Sequence, residues 1–312
     1  MYFVERCVVC DSESLVRYPA VTSPFIAQIA QWPAPQRCSL VECAGCGHRF
    51  FDLRLDDGEM GRLYGNYRGK DYFAVRHRWE PWYSQAVNDA IGNAQREIDS
   101  RRGYVLEFLR KSLPAAVFAG EVLDYGGDKG QFIPPELGGK KYVFEVSDQQ
   151  PIEGVVQLGT RQALRRPFDL VMLCHVLEHL SDPFKFLLEL REQLGPLDGA
   201  QWMYAEVPLE RPRLIKRPTT GAVRRGAADW IPRARPIWLG LDFYSTFFRV
   251  KLNTVPPFGF IKLHEHLNFF SRNSLRSLFE RAGFSVTASE EGSVSSASGL
   301  GGVVKLLARR TS

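Results

Sequence analysis

The chain has 312 residues, 45% of them hydrophobic and 24% charged. That composition supports a substantial buried core and excludes a fibrous, collagenous or broadly disordered chain. A net charge of +5 suits an anionic small molecule, nucleic acid or an acidic membrane surface, and is too mild to select among them. The opening MYFVERCVVC lacks the apolar core of a signal peptide, and no apolar run approaches the roughly 20 residues of a spanning helix. The expectation is a cytoplasmic protein.

Residues 1–55 hold five of the six cysteines, at positions 7, 10, 38, 43 and 46. Clustered cysteines in a reducing compartment read as metal ligands rather than disulfides. Cys7-Val-Val-Cys10 and Cys43-Ala-Gly-Cys46 are two CxxC knuckles. Each pair can bring both sulfurs to one ion, and two pairs complete a tetrahedral structural zinc site. Gly47 suits a knuckle turn with positive φ. Cys38 is a spare that could replace one ligand. Neither pair opens a helix after a strand, which argues against a redox motif. Cys174 stands in an apolar run and reads as a small buried hydrophobe.

Residues 56–115 are rich in aromatics and end in a helical stretch. Val87, Ile91, Ile98, Val105, Leu106 and Leu109 are spaced for one helix face, closed by Pro114. From residue 116 to 312 strands and helices alternate. EVLDYGG, KKYVFEVS, GVVQL, FDLVMLC and AQWMYAEVP read as strands, the fourth apolar throughout as in the middle of a parallel sheet. SDPFKFLLELREQLG opens with a serine cap and a proline and ends at Gly195, a helix on this reading. SRNSLRSLFERAGF is a capped helix ending at Gly283. FSVTASE and GGVVKLLARR supply the last strands. This order predicts an α/β fold, a doubly wound sheet with a mainly parallel core.

The stretch 209–262 interrupts that pattern with arginines, lysines and aromatics, among them Arg211, Arg213, Arg224, Arg225, Trp230 and Phe243. A lid over a phosphorylated substrate, a loop docking on an anionic membrane and a solvated insertion all fit this composition.

The turn after the first of these strands carries Asp124, Gly126, Gly127, Asp128 and Gly130. Glycines there let backbone approach a ligand and aim amide N–H groups at it. Glu145 follows Asp124 by 21 residues, about the spacing at which an acid meets ribose hydroxyls in nucleotide-binding α/β folds. His175 and His179 lie just after the fourth strand, at the edge where such sheets bind ligands. His264-Glu265-His266 is the densest titratable cluster in the chain. In an extended segment His264 and His266 share one face and Glu265 the other.

Leu123-Asp124-Tyr125-Gly126-Gly127-Asp128-Lys129-Gly130 resembles motif I of class I S-adenosylmethionine-dependent methyltransferases. Phe168 to Pro183 is similar to that family's fourth strand and loop, and His266 to Phe284 to the segment around its last helix. An N-terminal pair of CxxC knuckles ahead of these motifs resembles the bacterial sugar and polysaccharide methyltransferases, including the deoxysugar C-methyltransferases. The resemblance implies a Rossmann-like methyltransferase sheet beside a small four-cysteine, zinc-ribbon-like module, the sheet domain spanning 116–312. Gly126 and Gly130 would face the methionine part of the cofactor and Glu145 the ribose, with Asp124 supporting the loop. His175 would lie near the cofactor. Glu265 and His266 match a Tyr-x-Glu-His stretch that holds base and helper residues.

On that reading His266 is the general base, with His264 the second choice and Glu265 and His175 the other candidates; Tyr204 and Glu206 are substrate contacts. The chain departs from the pattern in two places. Asp128 stands where the family has its middle glycine, and Leu263 where the C-methyltransferases have tyrosine. The acceptor expected is a sugar or glycan, with O-methylation preferred to C-methylation. The alternatives are a non-catalytic binding protein with a decayed cofactor turn and an RNA methyltransferase. Cys174-His175-Val176-Leu177, where base-amino enzymes place an Asn/Asp-Pro-Pro-aromatic loop, argues against nucleic acid.

Overall fold

The structure, a computed structural model, describes residues 1–147, 149–194, 201–210, 235–252, 261–263, 265–296 and 299–310. Gly195, His264 and the basic run from Arg211 to Arg233 lie outside the described residues. The chain forms two compact units. One comprises Met1–Cys7, Ser12–Asn88 and Glu210–Phe269, the other Val8–Asp11, Asp89–Leu209 and Phe270–Ser312.

In chain order the first unit opens with β1 (Tyr2–Phe3), β2 (Leu15–Thr22), α1 (Pro24–Ile29), β3 (Arg37–Cys43), β4 (Arg49–Phe51) and β5 (Leu53–Arg54). Ser23 caps α1 by accepting from the Ile26 amide, with Pro24 pre-set in the first turn. Then come α2 (Asp57–Tyr64), α3 (Lys70–Trp79) and α4 (Gln85–Ala90). Asp56 and Glu59 close a reciprocal capping box on α2.

The second unit follows with α5 (Gln95–Ser112), β6 (Val122–Tyr125), β7 (Lys141–Phe144), β8 (Val155–Gln157), β9 (Leu170–Cys174), α6 (Pro183–Gln193) and β10 (Trp202–Pro208). The chain returns to the first unit for α7 (Arg235–Leu252), β11 (Ile261–Leu263) and β12 (Asn268–Phe269). It ends in the second with α8 (Arg272–Arg281), β13 (Phe284–Ser296) and β14 (Gly299–Arg310).

The first unit is built on a five-stranded sheet, order β11-β2-β3-β4-β12. Its two outer strands come from residues more than 200 positions beyond the inner ones. Ala20, Cys38, Leu40, Phe51, Leu53 and Leu267 form its core. Cys38 therefore sits in apolar packing, apart from the cluster of the other four N-terminal thiols.

The second unit is the expected doubly wound sheet. Seven strands run β13-β14-β10-β9-β6-β7-β8. The five from β8 to β10 are mutually parallel, and β14 is antiparallel to both its neighbours. β9 is buried at every position, as a central strand covered on both faces must be. Val105, Phe108 and Leu109 of α5 pack on Leu170, Met172 and Tyr204. Strand order reverses between β6 and β9, so the carboxyl ends of these two strands flank the switch point where such sheets bind ligands.

Two local expectations change. The stretch predicted as one helix from residue 84 to 113 is two, because Gly92 takes φ +76 between α4 and α5. Val87 is consequently exposed rather than on a buried face. The cap of α6 is Asp182, not the preceding serine. Pro183 occupies the first helical position, and the Asp182 carboxylate accepts from the Lys185 amide at 2.9 Å. Ser181 stands one residue too early for that role. Replacement of Asp182 by alanine is expected to lower unfolding free energy by about 1 kcal/mol, measured by chemical denaturation.

Candidate functional site

β6 leads into the turn at the switch point. Gly126 and Gly130 take φ +69 and +71, and Asp128 φ +55, so the residue in the place of the family's middle glycine adopts the left-handed conformation that Asp tolerates better than most residues. A Cβ on Gly127 would lie 2.2 Å from the Asp124 carboxyl carbon, and one on Gly126 2.9 Å from Val176. The turn is thus packed too closely for side chains at either position. The Asp128 amide donates to Glu145 Oε2 at 3.0 Å, and Glu145 Oε1 accepts from the amides of Val146 and Ser147. The Asp128 carboxylate accepts from Gln131 Nε2 at 3.1 Å, which holds it against its own loop.

Beneath the turn Asp124 is fully buried, and neither of its oxygens has a hydrogen-bond partner among the described residues. Burial pushes its carboxyl up to about 7, opposed by Arg101. A buried, unsatisfied carboxylate is costly in a protein built for stability alone. With the glycine cradle it fits a ligand that carries positive charge and needs close backbone approach.

At the end of β9 His175 has φ +59, in a region rare for non-glycine residues. Its amide donates to the Glu206 carbonyl at 2.9 Å. Its Nε2 lies 3.0 Å from Glu206 Oε1 and its Nδ1 3.2 Å from Glu178 Oε1. Burial and Arg101 both favour the neutral imidazole, and the bonds to Glu178 and Glu206 outweigh them, so its pKa is raised. Glu206 also accepts from Arg101 Nη2 at 2.9 Å and from the Tyr204 hydroxyl at 2.8 Å. Burial alone would raise the Glu206 carboxyl, but Arg101 and these donors bring it down to about 2.

Tyr204 and Glu206, expected as substrate contacts, are both wholly buried. Glu206 holds His175, and the Tyr204 hydroxyl donates to Glu206. His179 lies with its Nε2 4.0 Å from Glu178 Oε1.

The other predicted titratable residues belong to the first unit. His266 Nδ1 lies 2.8 Å from Glu210 Oε1, both side chains partly exposed. Glu265 Oε1 accepts from Arg76 Nη1 at 3.1 Å. Arg76 also reaches Glu80 and the Tyr72 hydroxyl, and its guanidinium stands 3.9 Å over the Tyr83 ring. Burial raises the Glu265 carboxyl to about 7 against the lowering effect of His266, Arg68 and Tyr67.

The sulfurs of Cys7, Cys10, Cys43 and Cys46 all lie within 4.8 Å of one another, and those of Cys7 and Cys46 are 3.7 Å apart. Tetrahedral thiolates at about 2.3 Å from one ion would be separated by about 3.8 Å. Gly47 has φ +71, as the second knuckle requires. Donor set and spacing fit zinc.

Arg101, Glu178, Glu210 and Arg76 went unnoticed in the sequence. A signal existed for Arg101. It precedes Val105, Phe108 and Leu109 at intervals of four, seven and eight, so a charge occupies the apolar face of α5 and must find a buried partner. No such signal marks the pairing of Glu210 with His266 or of Arg76 with Glu265, which are distant in sequence.

Among solved structures the chain is similar to magnesium protoporphyrin IX methyltransferase of Synechocystis with S-adenosylhomocysteine bound. Identity there is 16%, coverage 77% of this chain and 97% of that one, and the TM-score 0.40. It is also similar to the 1,6-didemethyltoxoflavin N1-methyltransferase of Burkholderia thailandensis with 1,6-didemethyltoxoflavin and S-adenosylhomocysteine bound, at 14% identity, 86% and 97% coverage and a TM-score of 0.43. An S-adenosylmethionine-dependent methyltransferase from Mesorhizobium loti matches at 17% identity, 68% and 100% coverage and a TM-score of 0.39. No protein of curated function matches. The family described as "Methyltransferase domain" matches residues 94–289, which take in the glycine turn, β9 and α8. The chain belongs to that family and is a class I S-adenosylmethionine-dependent methyltransferase.

Proposed function

We propose that this methyltransferase acts on a hydroxyl of a sugar, carried on a nucleotide or a glycan, with His266 as general base. The observation that carries this reading is the His266–Glu210 pair. A carboxylate 2.8 Å from Nδ1 fixes the ring and its tautomer, so that Nε2 holds the lone pair and the imidazolium formed on proton uptake is stabilised. Glu265, neutral or charged near pH 7 given its raised carboxyl, would be the helper group. Leu263, in place of tyrosine, supports a hydroxyl acceptor over a carbon one. The net positive charge suits an anionic sugar derivative.

S-adenosylmethionine supplies, when bound, an electrophilic methyl on a sulfonium that departs as a neutral thioether. Gly126, Gly127 and Gly130 would hold it closely, Glu145 would meet its ribose, and the buried Asp124 would set a negative field under its cationic end. Asp128, tied to Gln131, braces the turn. His175, held between two carboxylates, would orient the loop. The four clustered cysteines would hold one structural zinc.

Calorimetric titration with S-adenosylmethionine and S-adenosylhomocysteine is expected to show binding by the wild-type protein and by Asp128→Gly, and none by Gly126→Arg. The raised Asp124 carboxyl has a signed consequence. Its folded value of about 7 lies above the ordinary 3.8, so the stability it contributes is full below pH 3.8 and lost as pH rises through 7. Asp124→Asn should therefore stabilise the ligand-free protein at pH 8, by up to a few kcal/mol, leave it unchanged near pH 3.5, and weaken cofactor binding. Equal stabilisation at both pH values would count against the unpaired carboxylate.

With a panel of nucleotide sugars and glycans, His266→Gln should lower kcat by about 10²–10⁴ and abolish the acidic limb of its pH profile, with cofactor affinity unchanged. Labelling of RNA but of no sugar would sink the acceptor assignment. Elemental analysis should find one zinc per chain, lost in Cys43→Ser together with a cooperative unfolding transition.

A further inference from the structure

α7 has two apolar sides. Trp238, 3% exposed, packs on Val21 inside the first unit, and Asp242 is turned inward with it at 3%. At 3.6 residues per turn, Ile237, Phe243 and Phe247 fall on the opposite side. There they are 52%, 64% and 48% exposed. An amphipathic helix needs only one apolar stripe to join a core. The second stripe, with two phenylalanines one turn apart, stays largely outside the core that Trp238 joins.

Aromatic and cationic groups of the same unit gather beside it. Trp82, 40% exposed, meets the Phe243 ring edge-on at 6.4 Å. Arg235 at the start of α7 donates to the Arg78 carbonyl at 3.0 Å, both side chains exposed, and the Arg78 guanidinium lies over the Trp79 ring. Two acids of these elements face inward. Asp242 is buried, and Glu80 is buried against Arg76.

The sequence adds to the charge. Residues 210–252 contain ten lysines and arginines against three acids, so this stretch alone exceeds the whole chain's +5 and leaves the remainder slightly acidic. Exposed Phe and Trp flanked by arginines, with Asp242 and Glu80 withdrawn, is the chemistry of an interfacial helix on anionic lipid. A protein interface would be expected to distribute both signs of charge around an aromatic centre.

We propose that the outer face of α7, with Trp82, docks on an anionic membrane surface, the phenylalanines entering the headgroup–acyl boundary and the arginines meeting lipid phosphates. None of the residues of this face is assigned a part in methyl transfer, and the proposal does not depend on the acceptor.

The test is co-sedimentation of the full chain with vesicles of phosphatidylcholine alone and with about a quarter phosphatidylglycerol. Binding is expected only to the anionic vesicles, weakened about tenfold or more on raising salt from roughly 0.1 M to about 1 M. Phe243→Ser combined with Phe247→Ser should lose about tenfold or more of that binding, with circular dichroism and cofactor titration unchanged. Absence of binding to anionic vesicles overturns the proposal, as does equal binding by the double variant. A dimer in light scattering that the double variant abolishes would also overturn it, by making a second copy of the chain the occupant.

Discussion

The second unit is organised around Glu206, a carboxylate at the end of β10 with no access to solvent. Ionised and buried, it would be strongly destabilising without compensating donors. Arg101 from α5, His175 from the end of β9 and Tyr204 from its own strand all converge on it. Those contacts fix α5 against the sheet and hold His175 in a backbone conformation it would not choose by itself. Removing one donor would leave a charge in the core, so the carboxyl end of the parallel sheet is rigid where the cofactor turn needs a fixed floor.

Asp124 shows the complementary strategy. It lies in the same unit and is equally buried, yet it has no hydrogen-bond partner among the described residues. Of these two inward-facing acids, one is over-satisfied and anchors structure, and the other is left unsatisfied beneath a glycine cradle. The strain kept at Asp124, together with positive φ at Gly126, Asp128 and Gly130, concentrates unfavourable local features of the unit at the turn proposed to hold the cofactor.

In the first unit the same division recurs between packing and chemistry. Its sheet is completed by strands that arrive late in the chain, and those strands bracket the segment holding Glu265 and His266. Arg76 of α3 ties down Glu265 through an ion pair, while Glu210 pairs with His266. The titratable pair is therefore held by partners from two separate segments of the chain, a route to precise placement on an otherwise irregular segment.

Sequence by itself determined what depends on local spacing. Two CxxC pairs specify four convergent thiols because the knuckle closes over two intervening residues. Alternating apolar strands and capped helices specify a doubly wound sheet, and the Asp-x-Gly-Gly-Asp-x-Gly turn specifies a positive-φ cradle that includes Asp128. Tertiary structure alone decided the contacts that join distant positions. Arg101 meets Glu206 across 105 residues and Arg76 meets Glu265 across 189, and no periodicity links such pairs. It also decided which cysteine is left out, since Cys38 is excluded by apolar neighbours from three other segments. It turned one face of α7 outward, a choice that the helix's own apolar pattern leaves undetermined. Local rules fix the elements because their energies arise within a few residues, and partners far apart in the chain become visible only once the fold has brought them to hydrogen-bonding distance.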